Sequence, residues 1–385
     1  MRAPLIWAVA KVLLAMSGGV DSSVAAALLQ RQGHDVVGCF MRLGSDDSFE
    51  AETLGYDNLS RQKLAAACSK PRAHKQGCCS VNDAADARLV AATLGIPFYV
   101  MNFKKEFGRV IDYFVDEYNA GRTPNPCVRC NDWLKFGRLH AHAASIDCDY
   151  VASGHYAQVV DGADGPELRR GVDGGKDQSY VLFGTPRDRL AHMLLPVGGL
   201  PKTEVRRLAE AMDLPVFDKP DSQEICFVPD QDYAALVDRR ARRDTGAGIT
   251  PGPLVDTAGE VVGEHRGHQH YTVGQRRGVG VAFGYPIYVV EKDAATNTVT
   301  VGDRDALRRG SCEAADLNWL AGEAPADWRA CEAVVRYQGR PHPARVRVAG
   351  GVLEVVFDEP VEAVTPGQAL VCYDGDRVLG GGWIA

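Results

Sequence analysis

From Lys11 to Ser153, short unbroken apolar runs alternate with longer stretches of helical spacing. Val12, Leu13, Leu14, Ala15 and Met16 predict a buried strand. Val20, Val24, Ala27 and Leu28 fall at i, i+4, i+7 and i+8 and predict a helix, with Gly33 where a C-terminal cap belongs. A second apolar run, Asp35 to Met41, predicts the next strand. The alanine-rich stretch Asn82 to Leu94 predicts a helix stopped at Gly95, and a third strand follows Pro97 within Ile96 to Phe103. Phe107, Val110, Ile111, Phe114 and Tyr118 mark one face of a further helix that Gly121 stops, and another helix starting near Asp132 feeds a strand over Asp149 to Ser153. This β-α-β-α-β order predicts an α/β fold with a doubly wound parallel sheet, whose ligands bind outside the carboxyl ends of the strands.

Between Arg42 and Gln76 periodicity fades, which predicts a polar insertion closing on Gly77-Cys78-Cys79-Ser80. Vicinal cysteines cannot easily chelate one ion, so that motif reads as a helix-entry turn. Lys202 to Met212 predicts a helix. From Gly252 onward glycine, valine and short alternating runs dominate. Pro286 to Lys292 is answered by Thr298 to Gly302 across a turn at Asp293 to Asn297. Val334 to Tyr337, Ala344 to Val348, Leu353 to Phe357 and Ala369 to Tyr373 have the even spacing of a small barrel or sandwich. The expected organisation is a nucleotide-binding catalytic domain over 1–220, a small central domain over 221–284 and a C-terminal β-barrel domain over 285–385.

Composition fits an ordinary globular chain: 385 residues, 45% hydrophobic and 24% charged. A formal net charge of −7 argues against a broad nucleic-acid footprint and leaves basic patches, at Arg206-Arg207, at Arg239-Arg240 with Arg242-Arg243, and at Arg276-Arg277. Eleven cysteines, an odd count in a long chain, point to reactive or metal-binding thiols in a reducing compartment, so a cytoplasmic location is expected. Arg2 followed by Leu5, Ile6, Trp7 and Ala8-Val9-Ala10 imitates a secretory leader, but the apolar run is short and broken by Pro4. No run approaches the roughly 20 apolar residues of a transmembrane helix, and no membrane partner is expected.

The first strand and helix are joined by Ser17-Gly18-Gly19-Val20-Asp21-Ser22-Ser23. Two glycines let the backbone turn sharply and approach a ligand, while the serines and Asp21 can cap the helix. Free backbone N–H groups and the helix dipole then favour an anion such as the β,γ-phosphates of ATP. The string lacks Gly-x-x-x-x-Gly-Lys and is not of the Walker type. It resembles the PP-loop of ATP pyrophosphatases, which split ATP into AMP and pyrophosphate to adenylate a substrate. A second informative stretch is Thr123-Pro124-Asn125-Pro126-Cys127-Val128-Arg129-Cys130-Asn131, whose alternate prolines predict a stiff loop presenting Cys127 and Cys130 at a redox or metal-ligand spacing. Cys226 lies in the polar run Lys219 to Phe227 and reads equally as a reactive or a buried structural cysteine. His265-x-x-His268-x-His270 has no fixed convergent geometry in a β region. A structural or RNA-facing role is expected for His265, and no metal ligands are assigned. Gly278 to Gly284 reads as a β-turn region, because no βαβ unit surrounds it.

Taken together, Ser17 to Ser23, Gly77 to Ser80, Thr123 to Asn131, Gly154-His155-Tyr156, Lys176-Asp177-Gln178-Ser179-Tyr180, Asp221 to Phe227 and Tyr271 to Gly278 resemble the tRNA-specific 2-thiouridylase (MnmA) family, over nearly the whole chain from Lys11. The resemblance implies a tRNA-uridine 2-sulfurtransferase that replaces the C2 oxygen of the wobble uridine with sulfur, after ATP adenylates that oxygen. It assigns ATP, with Mg²⁺, to Ala15, Met16, Ser17, Gly18, Gly19, Val20, Asp21, Ser22, Met41 and Gly154. Cys226 would carry a persulfide and Cys130 would be the nucleophile that releases or reduces it. Asn125, Pro126 and Cys127 match the segment that meets the target base, and His155, Lys176, Asp177, Gln178, Arg336, Tyr337 and Gln368 match tRNA contacts. The implied partners are tRNA and a cysteine desulfurase or other persulfide donor. Many relatives carry Asp at the position of Cys127, so Cys127, Cys130 and Cys226 could instead hold an iron–sulfur cluster that delivers sulfide. Outside this family, a PP-loop synthetase adenylating a small molecule would share the loop but needs no thiol.

Overall fold

The computed structural model describes residues 9–44, 81–221, 225–228, 232–246 and 248–385. The leader-like opening at 1–8, most of the polar insertion with Gly77 to Ser80, and Ser222 to Glu224 lie outside the described residues. The chain forms two compact units, one of Met1–Gly108 with Cys130–Pro229 and one of Arg109–Arg129 with Asp230–Ala385.

The first unit is built on strands β1 (Lys11–Ala15), β2 (Asp35–Arg42), β3 (Phe98–Asn102) and β4 (Tyr150–Ser153). Beyond a hairpin of β5 (Ala157–Gly162) and β6 (Gly165–Arg170), the short β7 (Met193–Leu194) completes the sheet. Its order is β3-β2-β1-β4-β7, and every neighbouring pair is parallel. A parallel sheet is covered on both faces, which is why β1 and β2 read as unbroken apolar runs. Helices α1 (Val20–Arg31) and α2 (Val81–Leu94) contribute Val24, Leu29, Ala87 and Val90 to the core around Val12 and Leu14. The doubly wound parallel sheet expected from the sequence is therefore present. The β5–β6 hairpin was not expected, although Asp161-Gly162-Ala163-Asp164-Gly165 supplies its turn residues.

Helix α3 (Lys104–Asn119) runs from the first unit into the second. The Thr123 to Asn131 stretch departs from the expected stiff loop: Pro126–Arg129 is helical (α4) and runs directly into a π-helical stretch, Cys130–Arg138, followed by α5 (Leu139–Ser145). Proline tolerates the first turn of a helix, and Asn125 Oδ1 accepts the Cys127 N–H at 3.2 Å as a helix-capping group does. Asn-Pro is thus a helix start here, several residues ahead of the one expected near Asp132.

In the second unit, Phe114 and Tyr118 of α3 pack their rings against Tyr233 of α7 (Tyr233–Thr245), at 6.0 and 6.2 Å between centroids. α6 (Lys202–Ala211) belongs to the first unit. Strands β8 (Gly252–Val255), β9 (Val261–His265), β10 (Tyr288–Asp293) and β11 (Thr298–Gly302) form a sheet of order β10-β11-β8-β9. His265 is structural: buried, its Nε2 lies 2.9 Å from the Asn297 carbonyl oxygen and its Nδ1 accepts the Gly267 N–H.

The remaining strands are β12 (Arg308–Trp319), β13 (Arg329–Val334), β14 (His342–Ala349), β15 (Val352–Glu362), β16 (Ala369–Asp374) and β17 (Arg377–Ile384). They run in the order β12-β15-β14-β13-β16-β17, and β17 pairs back onto β12 to close a barrel. Val334 to Tyr337 is a correction. The strand there ends at Val334, and Arg336 and Tyr337 sit at a turn where Gln338 takes φ 56°. Strands β12 and β17 were not expected. β17 carries Gly380-Gly381-Gly382 because it crosses β12 closely: a Cβ at Gly380 would lie 2.6 Å from Asn318 O and 2.7 Å from Trp319 Cα. Gly380→Val is accordingly expected to lower stability by about 1–3 kcal/mol, read as a lower urea midpoint at unchanged m-value. An unchanged midpoint would count against this closure.

Candidate active site

The sequence Ser17 to Ser22 leaves the carboxyl end of β1, and Gly154 leaves that of β4. Strand order reverses between these two neighbours, which is where doubly wound sheets bind ligands. Met41 lies near the end of β2, on the other side of β1. Gly18 takes φ +74°, and a Cβ there would lie 2.2 Å from the Asp83 carbonyl oxygen. A Cβ at Gly154 would lie 2.6 Å from the Ser22 nitrogen and 2.7 Å from the Asp21 carbonyl carbon. Both glycines are demanded by close backbone approach, so the loop is pressed between β4 and the start of α2.

The expected side-chain capping does not occur. Gly19 holds the N-cap position of α1, and the Ser22 and Ser23 hydroxyls donate to its carbonyl at 3.2 and 2.8 Å. The N–H groups of the first helical turn have no partner within the helix, which leaves them available to an anion. Ser22 Oγ also accepts the Ser17 N–H at 3.2 Å, which folds the loop back on itself. These glycines form a cradle that side chains would fill, of the kind that admits a phosphate chain.

Long-range contacts supply the charge. Asp21 Oδ1 accepts from the Tyr156 hydroxyl and from Lys202 Nζ, both at 2.6 Å. Lys202 also meets Asp221 Oδ1 at 2.9 Å, and the same carboxylate accepts from Lys176 and Arg206, each at 2.8 Å. Burial opposes ionisation of Asp221, but the hydrogen bonds from Lys176 and Lys202 outweigh it and bring its pKa down to about 2. Lys219 Nζ donates to Gly18 O at 2.9 Å, Asp83 at 2.7 Å and Asp86 at 2.6 Å. Burial lowers its pKa and the two aspartates more than restore it. The sequence places Lys202 only as a helix start and Arg206 only in a basic patch, and neither pattern shows that they reach Asp21 and Asp221. A loop without its own lysine was the available signal, but nothing in the spacing says which distant cation reaches it.

The residues matched to tRNA contacts fall into two groups. His155 is buried, with Nδ1 2.6 Å from Ser153 Oγ and Nε2 3.3 Å from Lys135 Nζ. Burial, with Lys135 second, holds its pKa well below the ordinary range, so the ring is neutral at physiological pH. Asp177 accepts from the Gly171 and Ser179 backbone N–H groups, Gln178 accepts the Tyr156 N–H at 2.9 Å, and Lys176 holds Asp221. Gln368 donates to the Thr123 carbonyl at 2.8 Å, two residues before Asn125. Arg336 and Tyr337 are exposed. In the basic patches, Arg240 pairs with Asp112, Arg242 with Asp238 and Arg207 with Glu204.

Cys127 is exposed, and Cys130 and Cys226 are half-buried. Phe227, next to Cys226, packs its ring edge-on against Phe107 at 5.6 Å. By contrast, burial pushes the Cys39 and Cys312 thiols up to about 12, which disfavours their thiolates. Among the described residues no three His, Cys, Asp or Glu side chains gather as metal ligands would. No described helix is long and apolar enough to cross a membrane.

A parallel sheet with a glycine loop at its switch point, followed by two β modules, defines a PP-loop nucleotide-binding protein. Comparison with known proteins agrees. Residues 10–230 match the family described as tRNA methyl transferase HUP domain, residues 246–303 its PRC-barrel domain, and residues 309–384 the aminomethyltransferase beta-barrel domain. Proteins named tRNA-specific 2-thiouridylase MnmA are 49% identical in Rhodopirellula baltica, over 97% of this chain and 96% of the relative. Those of Geotalea uraniireducens and Clostridioides difficile are 48% and 43% identical, each over 97% of this chain, covering 94% and 98% of the relatives. The chain belongs to the tRNA-specific 2-thiouridylase family.

Two substitutions test the loop. Gly154→Ala forces a Cβ into the Ser22 and Asp21 backbone, and Asp21→Ala removes the acceptor shared by Tyr156 and Lys202. Each is expected to cut tRNA-dependent pyrophosphate release by ~10²-fold. Full activity in a folded Gly154→Ala protein would show that the phosphates bind elsewhere.

Proposed function

We propose that the chain thiolates the wobble uridine of tRNA at C2, consuming ATP and releasing AMP and pyrophosphate. The observation that carries this reading is the glycine loop at the strand-order switch, pressed against Gly154, in a chain aligned along nearly its whole length with 2-thiouridylases. A urea-like carbonyl oxygen does not depart as oxide, so it must first be converted into a leaving group. The loop from Ala15 to Ser22, with Met41 and Gly154, would hold ATP so that the C2 oxygen attacks the α-phosphorus. The bond to the β-phosphate breaks and pyrophosphate leaves with the electron pair. Mg²⁺, when bound, would neutralise phosphate charge, and the carboxylate of Asp21, which lies in the loop itself, is the hard oxygen donor that would suit it.

Sulfur then follows by relay. The terminal sulfur of a Cys226 persulfide attacks C2, and the C2–O bond breaks as AMP departs. Cys130 thiolate attacks the Cys226 sulfur, which forms a Cys130–Cys226 disulfide and frees the 2-thiouridine; an external thiol reductant resets the pair. Half-buried positions suit both cysteines, since each stays reachable by another sulfur. In this reading Asn125, Pro126 and Cys127 meet the target base at the helix start, and Arg336 and Tyr337 contact the tRNA at their exposed turn. Asp177, Gln178 and Gln368 serve tRNA contact by fixing nearby backbone, and His155 and Lys176 by holding neighbouring side chains. The partners are tRNA and a cysteine desulfurase or other persulfide donor, in a reducing cytoplasm.

Mass spectrometry of the wobble nucleoside, after incubation with tRNA, ATP and a persulfide source, tests the activity, and oxygen-to-sulfur exchange is the expected result. Cys130→Ser and Cys226→Ser are each expected to abolish thiolation while sparing tRNA-dependent AMP release, with Cys127→Ser milder. Loss of AMP release itself in Cys226→Ser would assign this cysteine a different role.

A further inference from the structure

We propose that Lys202 is the cation that meets the polyphosphate of ATP, supplying the positive charge that the loop itself lacks; this rests on the nucleotide reading above. Ser17 to Ser23 contains no lysine or arginine. Two ammonium groups reach the loop from far along the chain. Lys219 spends its three N–H donors on Gly18 O, Asp83 and Asp86, so it is a structural tie between the loop and α2. Lys202 differs in having only two carboxylate partners, Asp21 at 2.6 Å and Asp221 at 2.9 Å.

The arrangement is poised for exchange. Three cations, Lys176, Lys202 and Arg206, face one carboxylate, Asp221, and Asp21 adds a second acceptor for Lys202 alone. Asp221 keeps Lys176 and Arg206 when Lys202 turns to a phosphate, so no buried carboxylate is stranded. Three cations converge on the one carboxylate of Asp221 beside an anion-binding loop, so a phosphate arriving there meets positive charge that is already gathered. Lys202 is also held in place. It is the first residue of α6, its backbone N–H donates to Asp173 Oδ2 at 2.9 Å, and its side chain is only 10% exposed. With its backbone fixed, only the ammonium has to turn from the carboxylates to phosphate, and it is then in place as pyrophosphate leaves with the electron pair and charge grows on the β-phosphate.

Calorimetric titration of the full chain with the α,β-methylene analogue of ATP, with inorganic pyrophosphate and with AMP reads this directly. Lys202→Gln is expected to weaken the analogue and pyrophosphate by roughly ten- to a hundredfold and to leave AMP unchanged, with Lys202→Arg recovering part of the loss. The double variant K202Q/D221N removes the carboxylate left facing the loop, so it separates a lost contact from a changed local charge. Persistent weak pyrophosphate binding in the double variant supports direct contact. Wild-type pyrophosphate affinity in Lys202→Gln, or full recovery in the double variant, would overturn the assignment. Wild-type protein that binds none of the three ligands would bring down the nucleotide reading itself.

Discussion

At the carboxyl ends of β1 and β4 two backbones approach so closely that neither exit tolerates a side chain. A Cβ at Gly154 would sit 2.6 Å from the Ser22 nitrogen, and one at Gly18 would sit 2.2 Å from the Asp83 carbonyl oxygen. This contact fixes where α1 begins relative to the sheet, and hence where its unpaired N–H groups point. It also brings Tyr156, two residues past Gly154, to 2.6 Å from Asp21. Backbone proximity thus shapes the loop independently of any charged side chain.

Charge is then assembled from distance. The loop has no cation of its own, so Lys219 ties down its Gly18 carbonyl and Lys202 approaches its Asp21. Asp221 gathers three cations and lies five residues before Cys226. The same carboxylate therefore adjoins both the proposed phosphate site and the start of the proposed sulfur-carrying segment.

Much of this was legible in the sequence. Strands β1 and β2 are buried on both faces and show as unbroken apolar runs, and Gly33 with φ +89° marks the end of α1 as its position suggested. The order of strands and helices up to β4 followed from such runs. What stayed hidden depends on contacts that local pattern does not encode. The Gly380-Gly381-Gly382 strand breaks the usual composition of a strand because it crosses β12 at close range. Strand β12 itself is largely exposed and polar, so it carries no apolar alternation. Asn125-Pro126 looked like loop stiffening and is a helix start, a misreading that the capping rule would have caught. The loop residues of the site were visible as a motif, whereas Lys202 and Arg206 were not, since 181 residues separate Lys202 from the aspartate it holds.

Everything proposed for this site turns on activation of the uridine C2 oxygen by adenylation at the Ser17 to Ser22 loop. Transfer RNA carrying a heavy-oxygen label at C2 of the wobble uridine tests it most directly, with the released AMP analysed by mass spectrometry after one turnover. The account predicts that the label appears in AMP in proportion to 2-thiouridine formed. Unlabelled AMP alongside full thiolation would contradict it, because the oxygen would then have left by another route.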